Sequence, residues 1–189
     1  MSTERNKMQQ VLESLAQELV PFGSPVYFAV LAAAVFARGM DLISTWTGTP
    51  TFLLEANPIA RLLGWKLGIF FNLVMCVFIS IWPLMAVVVI TTSLLVAARN
   101  FKSAWIMRTM GENHYLTFIL NQMSCASRSL ILFCIFGEAG MFLCVGLALV
   151  LLSPPGSITM GIGTGVFVYG LVVGFFASLP LLKTRSKLS

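Results

Sequence analysis

The stretch LGIFFNLVMCVFISIWPLMAVVVITTSLLVA, residues 67–97, contains no charged side chain. A helix of about 20 apolar residues already crosses the ~30 Å of hydrocarbon in a bilayer. This stretch is longer than one perpendicular crossing requires and too short for two crossings. It therefore predicts a single transmembrane helix that is tilted, bent at Pro83 or extended past the lipid headgroups.

The composition of the whole chain also indicates a membrane location. Of the 189 residues, 58% are hydrophobic and 10% are charged, and the mean hydropathy is +0.91. A soluble domain needs a far more polar surface than these residues supply. We therefore expect an all-α, polytopic integral membrane protein of the cell membrane.

A second uncharged run, between Glu138 and Lys183, predicts two further helices. Ser-Pro-Pro-Gly-Ser at residues 153–157 interrupts this run, and that sequence suits a tight turn better than a continuous helix. A further apolar segment near the N-terminus, residues 25–46, adds a fourth helix to these two and to the 67–97 helix. The pattern therefore predicts a four-helix bundle. The predicted spans are residues 25–46, 67–97, 129–152 and 158–182.

The two ends of the chain are more polar than the predicted spans. Apolar residues recur every three or four positions over residues 4–20, which predicts an amphipathic helix. We therefore divide the chain into a cytoplasmic amphipathic helix at 1–24, a membrane domain at 25–182 and a basic cytoplasmic tail at 183–189.

The placement of Lys and Arg predicts the orientation of the bundle. With both termini in the cytoplasm, the outer side keeps only Arg61 and Lys66, and the inner side collects most of the other cations. These are Arg5, Lys7, Arg99, Lys102, Arg108, Arg128, Lys183, Arg185 and Lys187. The net charge of +5 then predicts contact with anionic lipid headgroups at the cytoplasmic face. The sequence shows no basic groove with interleaved aromatic residues, so we expect no nucleic-acid partner.

Polar residues within the predicted spans are the candidates for function, because ionised groups in hydrocarbon are costly and usually serve a purpose. Arg38 and Asp41 lie three residues apart in the first span and therefore share one helix face. Asn72 is expected at a similar depth in the second span. These three residues predict a polar pocket that opens toward the outer side.

Glu55 and Asn57 follow the first span and extend this candidate site. Asn57 precedes Pro58, a pattern typical of a helix start. The oxygens of Asp41, Glu55, Asn57 and Asn72 suit a hard cation or a proton relay. The alternative is a structural latch, in which Asp41 pairs with Arg38, Glu55 pairs with Arg61, and Asn57 only caps the helix.

Glu138 is a second buried acid, near the middle of the predicted third span. Neutral protonation, pairing with Arg38 and a transport role are all open for it. The chain has a single histidine, His114, and its four cysteines show no Cys-x-x-Cys spacing. We therefore expect no cofactor and assign no catalytic residue, and any metal is left undetermined.

Part of the chain resembles a known group of proteins. Asp41, Ser44 and Thr45, then Glu55-Ala56-Asn57-Pro58 and a long apolar helix, resemble the signature of a family of uncharacterised small bacterial and archaeal membrane proteins. The resemblance covers residues 30–98. It implies a shared site on the outer side and brings no activity with it.

Three functional hypotheses follow from these features. We favour a small transport-type or ligand-binding bundle whose site is Arg38, Asp41, Glu55, Asn57 and Asn72. The alternative is an accessory or scaffolding subunit of a larger membrane complex. A weaker alternative is an intramembrane enzyme in which Asp41 and Glu55 hold a divalent metal.

Oligomerisation is also open at this stage. Gly161 with Gly165 and Gly170 with Gly174 allow close helix contacts on the last span. These contacts could form within the monomer, within a homo-oligomer or with a membrane-protein partner.

Overall fold

The computed structural model describes residues 19–55 and 57–183, and these residues form six helices without a strand. The helices are α1 Pro25–Gly48, α2 Pro58–Ile79, α3 Pro83–Met110, α4 Glu112–Cys125, α5 Arg128–Leu152 and α6 Ile158–Lys183. All except α4 are long and apolar enough to cross a membrane. Residues 4–18 of the predicted amphipathic helix and the tail beyond Lys183 lie outside the described residues, and Leu19 and Val20, which are described, are not helical.

The prediction of one helix over residues 67–97 is wrong, because the chain turns between Ile79 and Pro83. Pro83 has no backbone N–H to donate and disfavours helical backbone at the preceding residue. Trp82 is accordingly extended, with φ −113° and ψ 91°. Ser80 is fully buried and donates its hydroxyl to the Cys76 carbonyl at 2.6 Å, which closes α2.

Both resulting helices reach membrane length because they continue past the uncharged run. Helix α2 has 22 residues and includes Arg61 and Lys66, and α3 has 28 residues and includes Arg99 and Arg108. Long basic side chains near helix ends can extend to reach water, so charge does not end a helix. A count of uncharged residues alone therefore gave one long helix where the structure has two.

The contacts fix the direction of each helix. Arg38 of α1 donates to Ser93 of α3, and Gly48 ten residues later lies against Ala104, so α1 and α3 are parallel. The Tyr27 hydroxyl near the start of α1 donates to the Val77 carbonyl near the end of α2, so these helices are antiparallel.

Helix α6 also runs parallel to α3, and α5 is antiparallel to α6. Gly161 and Gly165 of α6 lie against Val87 and Thr91 of α3, so the residue numbers of α3 and α6 rise in the same direction. Gly163 and the later Gly170 lie against successively earlier residues of α5, so α5 runs in the opposite direction. The bundle therefore has two ends. We call one the α4 end, formed by residues 49–55, Asn57, α4 and the C-terminal end of α6. The opposite end is formed by residues 19–24, 80–82 and 153–157.

Glycines allow α3, α5 and α6 to pack at close range. A Cβ at Gly146 of α5 would lie 2.5 Å from the backbone nitrogen of Phe167, and a Cβ at Gly165 would lie 2.7 Å from the Cβ of Thr91. Gly170 similarly faces the Ala139 carbonyl of α5. The small residues of the last span therefore make contacts within the monomer, where close approach strengthens van der Waals packing.

We expect Gly146→Ala to destabilise the protein by about 1 to 3 kcal/mol, because the added methyl overlaps the backbone of α6. The matched control is Gly140→Ala on the same helix, where nothing lies within 4 Å of the new Cβ. That variant should be neutral or more stable, since alanine favours a helix over glycine. Thermal unfolding in detergent measures both, and equal midpoints for the two variants would contradict the close α5–α6 contact.

Candidate functional site

Arg38 lies where α1, α2 and α3 meet. Its Nη1 forms an ion pair with Asp41 at 2.9 Å and donates to the Ser93 hydroxyl of α3 at 3.1 Å. Its Nε donates to Oδ1 of Asn72 on α2 at 2.7 Å, and Nη2 donates to the same oxygen. One guanidinium therefore connects three helices through charge-assisted hydrogen bonds, which are stronger than neutral ones.

Asn72 is oriented by its own helix. Its amide nitrogen donates to the Gly68 carbonyl one turn earlier at 2.7 Å, which leaves the amide oxygen facing Arg38. Both lone pairs of that oxygen are occupied by the guanidinium. The structure thus brings together three of the predicted site residues, Arg38, Asp41 and Asn72.

A second polar layer lies one to two turns closer to the α4 end. The Asn100 amide of α3 donates to the hydroxyls of Ser44 and Thr45 at 3.3 Å each, and the Ser44 hydroxyl donates to the Asp41 carbonyl. Sequence reasoning missed Ser93 and Asn100 as partners of α1. Their only signal was polarity within an apolar helix, and their spacing of seven residues places them on one face of α3.

Glu55 and Asn57 lie in the loop between α1 and α2. Asn57 caps α2 by accepting from the Ile59 N–H at 3.0 Å, as its position before Pro58 suggested. Glu55 accepts from the backbone N–H of Asn57 at 2.8 Å. Within the part of the chain that the structure describes, neither side chain forms a hydrogen bond or ion pair with Arg38, Asp41 or Asn72.

Glu112, at the start of α4, organises the same loop and was not predicted. Its carboxylate accepts from the hydroxyls of Thr49 and Thr51 at 2.6 and 2.7 Å and from the N–H groups of Thr51 and Leu53. Burial alone would raise the pKa of Glu112, but these hydrogen bonds outweigh burial and hold the pKa below its ordinary value. The ionised carboxylate therefore clamps the loop to the end of α3.

A groove runs between α1 and α2 beside the polar residues. Its deeper part, of about 250 Å³, is lined by Arg38 and Asn72 among residues that are otherwise apolar. A second part of the groove, of about 360 Å³, lies nearer the α4 end and is bordered by Trp46 and Trp65. The two parts share Leu42, Ile43 and Ile69, so they form one continuous lateral opening.

Glu138 belongs to a different cluster. It lies 3.5 Å from Arg99 of α3, on the side of α3 that faces away from α1, and Arg38 is not its partner. Tyr169 of α6 is buried and packs on Phe142 of α5, one turn from Glu138. The described residues thus form two ion pairs, Arg38–Asp41 and Arg99–Glu138, on opposite sides of α3.

The chain matches no protein-family model, no curated protein and no solved structure. Within the described residues, no three His, Cys, Asp or Glu side chains are grouped as a metal site requires. The interpretation of this site therefore rests on its geometry.

We expect Arg38→Met to cost about 3 to 5 kcal/mol, because the variant leaves Asp41 in the bundle interior without its cation. The double variant Arg38→Met/Asp41→Leu should recover much of that loss, since it removes the unpaired charge. Arg61→Met is the control, because the Arg61 side chain is exposed. Unfolding in detergent measures all three, and additive losses in the double variant would contradict a coupled pair.

Proposed function

We propose that this is a five-span integral membrane protein that binds an amphiphile in the lateral groove between α1 and α2. Arg38 and Asn72 hold the polar head of the ligand, and the apolar walls cover its chain. The observation that carries the proposal is that the Arg38 guanidinium, in the middle of a membrane-length helix, lines a groove whose other residues apart from Asn72 are apolar. Polar groups placed singly in an apolar pocket fix the orientation of a ligand.

The hydrogen-bond inventory supports a ligand head that accepts hydrogen bonds. An arginine has five N–H donors, and four of those on Arg38 go to Asn72, Asp41 and Ser93. Asn72 uses one of its two amide donors on Gly68. Arg38 and Asn72 therefore each keep one N–H without a hydrogen-bond acceptor among the described residues, whereas the Asn72 oxygen already accepts two hydrogen bonds.

This inventory favours a carboxylate, phosphate or carbonyl head over a cation. A cation would have to compete with Arg38 for the oxygens of Asp41 and Asn72, at a distance where like charges repel. An oxyanion can instead accept a hydrogen bond from the positively charged Arg38 without displacing the partners that Arg38 already has. The proposed site is thus narrower than the predicted one, because Glu55 and Asn57 belong to the adjoining loop.

The proposed orientation follows from five spans. An odd number of crossings places the start of α1 and the end of α6 at opposite ends of the bundle, and the α4 end then carries Arg61, Lys66, Lys102, Arg108, Arg128 and Lys183. The described residues of the opposite end, 19–24, 80–82 and 153–157, include no Lys or Arg. We therefore assign the α4 end to the cytoplasm and the opposite end, where α1 begins, to the outside. Arg38 lies ten residues from Gly48, about 15 Å below the cytoplasmic end of α1.

Cysteine labelling tests this orientation. Cys125 at the end of α4 is exposed, and Pro155 in the loop between α5 and α6 is also exposed. In intact cells a membrane-impermeant maleimide should label Pro155→Cys and should reach Cys125 only after permeabilisation. The reverse accessibility would overturn the assignment, and labelling of both sites from outside would exclude the odd number of spans.

Binding of a fluorescent fatty acid to the purified protein tests the proposed function, with an alkylammonium probe of the same chain length for comparison. We expect saturable binding of the carboxylate and at least about tenfold weaker binding of the ammonium, equivalent to 1.4 kcal/mol. Preference for the ammonium, or no saturable binding of either probe, would contradict the proposal. Such a result would favour the alternative that the protein is an accessory or scaffolding subunit of a larger membrane complex.

A matched pair of substitutions locates the binding. Leu73 lines the groove, so Leu73→Phe adds volume inside it. Leu62 lies on the same helix, is 86% exposed and does not line the groove, so Leu62→Phe is the control. We expect Leu73→Phe alone to weaken binding of the fatty acid. Equal effects of the two substitutions would place the ligand elsewhere.

A further inference from the structure

The second ion pair bridges an open cleft between two helices. Arg99 of α3 and Glu138 of α5 approach to 3.5 Å, while the backbones of α3 and α5 make little contact and both pack on α6. Tyr169 of α6 is buried, and its ring packs against Phe142 of α5, one turn from Glu138, with a centroid distance of 4.8 Å. The charges therefore lie at the mouth of a cleft whose floor is α6.

Both charged side chains remain substantially accessible within the described structure. The exposed fractions are 39% for Arg99 and 41% for Glu138. Glu138 lies ten residues from Arg128, which places it about 15 Å from the start of α5 and near the middle of the membrane. A half-exposed ion pair at this depth is costly against lipid, because hydrocarbon offers no hydrogen bonds and headgroups do not reach it.

The neighbouring surface of α5 is suited to another helix. Cys134, Gly137, Met141 and Val145 are all exposed and lie with Glu138 within about 100° of the helix surface. No described atom lies within 4 Å of the position that a Cβ on Gly137 would take. Small residues combined with a polar group are typical of helix contacts in membranes.

We infer that this cleft is the contact surface of a homodimer, and that its occupant is the same surface of a second copy. A two-fold contact must be complementary to itself. A surface with one cation and one anion side by side meets this requirement, because a rotated copy places its Glu138 against Arg99 and its Arg99 against Glu138. Four charges then neutralise one another away from lipid. This inference is independent of the ligand proposed for the α1–α2 groove.

Oxidative crosslinking in native membranes tests the dimer. Cys134 lies one turn from Glu138, so a full-length variant that retains only this cysteine should form a disulfide-linked dimer with copper phenanthroline. The control places the single cysteine at Phe136→Cys. Phe136 is at nearly the same depth and 59% exposed, but it points about 160° away from Glu138. We expect several-fold less dimer from the control.

Charge reversal separates contact between copies from pairing within one copy. In the Cys134-only background, Arg99→Glu alone and Glu138→Arg alone should each lower crosslinking, because like charges then meet. Co-expression of the two variants with different tags should restore crosslinking between them, since one copy is then acidic and the other basic at the interface. Only an intermolecular contact predicts this recovery.

Three results would overturn the inference. The first is equal crosslinking at positions 134 and 136, which would indicate random collision. The second is failure of the mixed variants to recover while the Cys134-only protein crosslinks. The third is a mass in gentle detergent that corresponds to a monomer or to a complex with a different polypeptide.

Discussion

The turn between Ile79 and Pro83 is the constraint on which the other helix contacts depend. Because Pro83 cannot donate a hydrogen bond and forces Trp82 out of helical backbone, the chain reverses after α2. The reversal makes α3 parallel to α1. Only then can Arg38 reach Ser93 while Asn100 reaches Ser44 further along the same pair of helices. A continuous helix would have separated these partners.

Helix α3 connects the polar groups of the whole bundle. Ser93 and Asn100 face α1, the Thr92 hydroxyl donates to the Gly165 carbonyl of α6, and Arg99 faces α5. In an apolar environment each such group must find a partner, because an unpaired polar group costs several kcal/mol. The polar residues of α3 therefore determine which faces the neighbouring helices present to it. They also place two ion pairs on opposite sides of one helix.

The two sides of α3 differ in packing. On one side, α5 and α6 pack backbone to backbone through Gly146, Gly163 and Gly170. On the other side, α2 contributes a single buried residue, Cys76, and its backbone departs from helical geometry at Gly64. Sparse packing of α2 leaves room for the groove between α1 and α2, whereas the close packing of α5 on α6 leaves no such space between those two helices. Binding is therefore proposed beside α2, and self-association on the side of α5.

The sequence by itself determined the helical class, the extent of α1, α5 and α6, the Pro-Pro-Gly turn before α6 and the Asn57 cap, because these depend on local chemistry and composition. It also placed Arg38 and Asp41 on one helix face, which is a matter of spacing. The tertiary structure alone decided that the 67–97 run forms two helices and that Glu138 pairs with Arg99. It also decided that the glycines of α6 pack within the monomer. These outcomes depend on which helices are neighbours, and one turn at Pro83 changes the direction of every helix that follows.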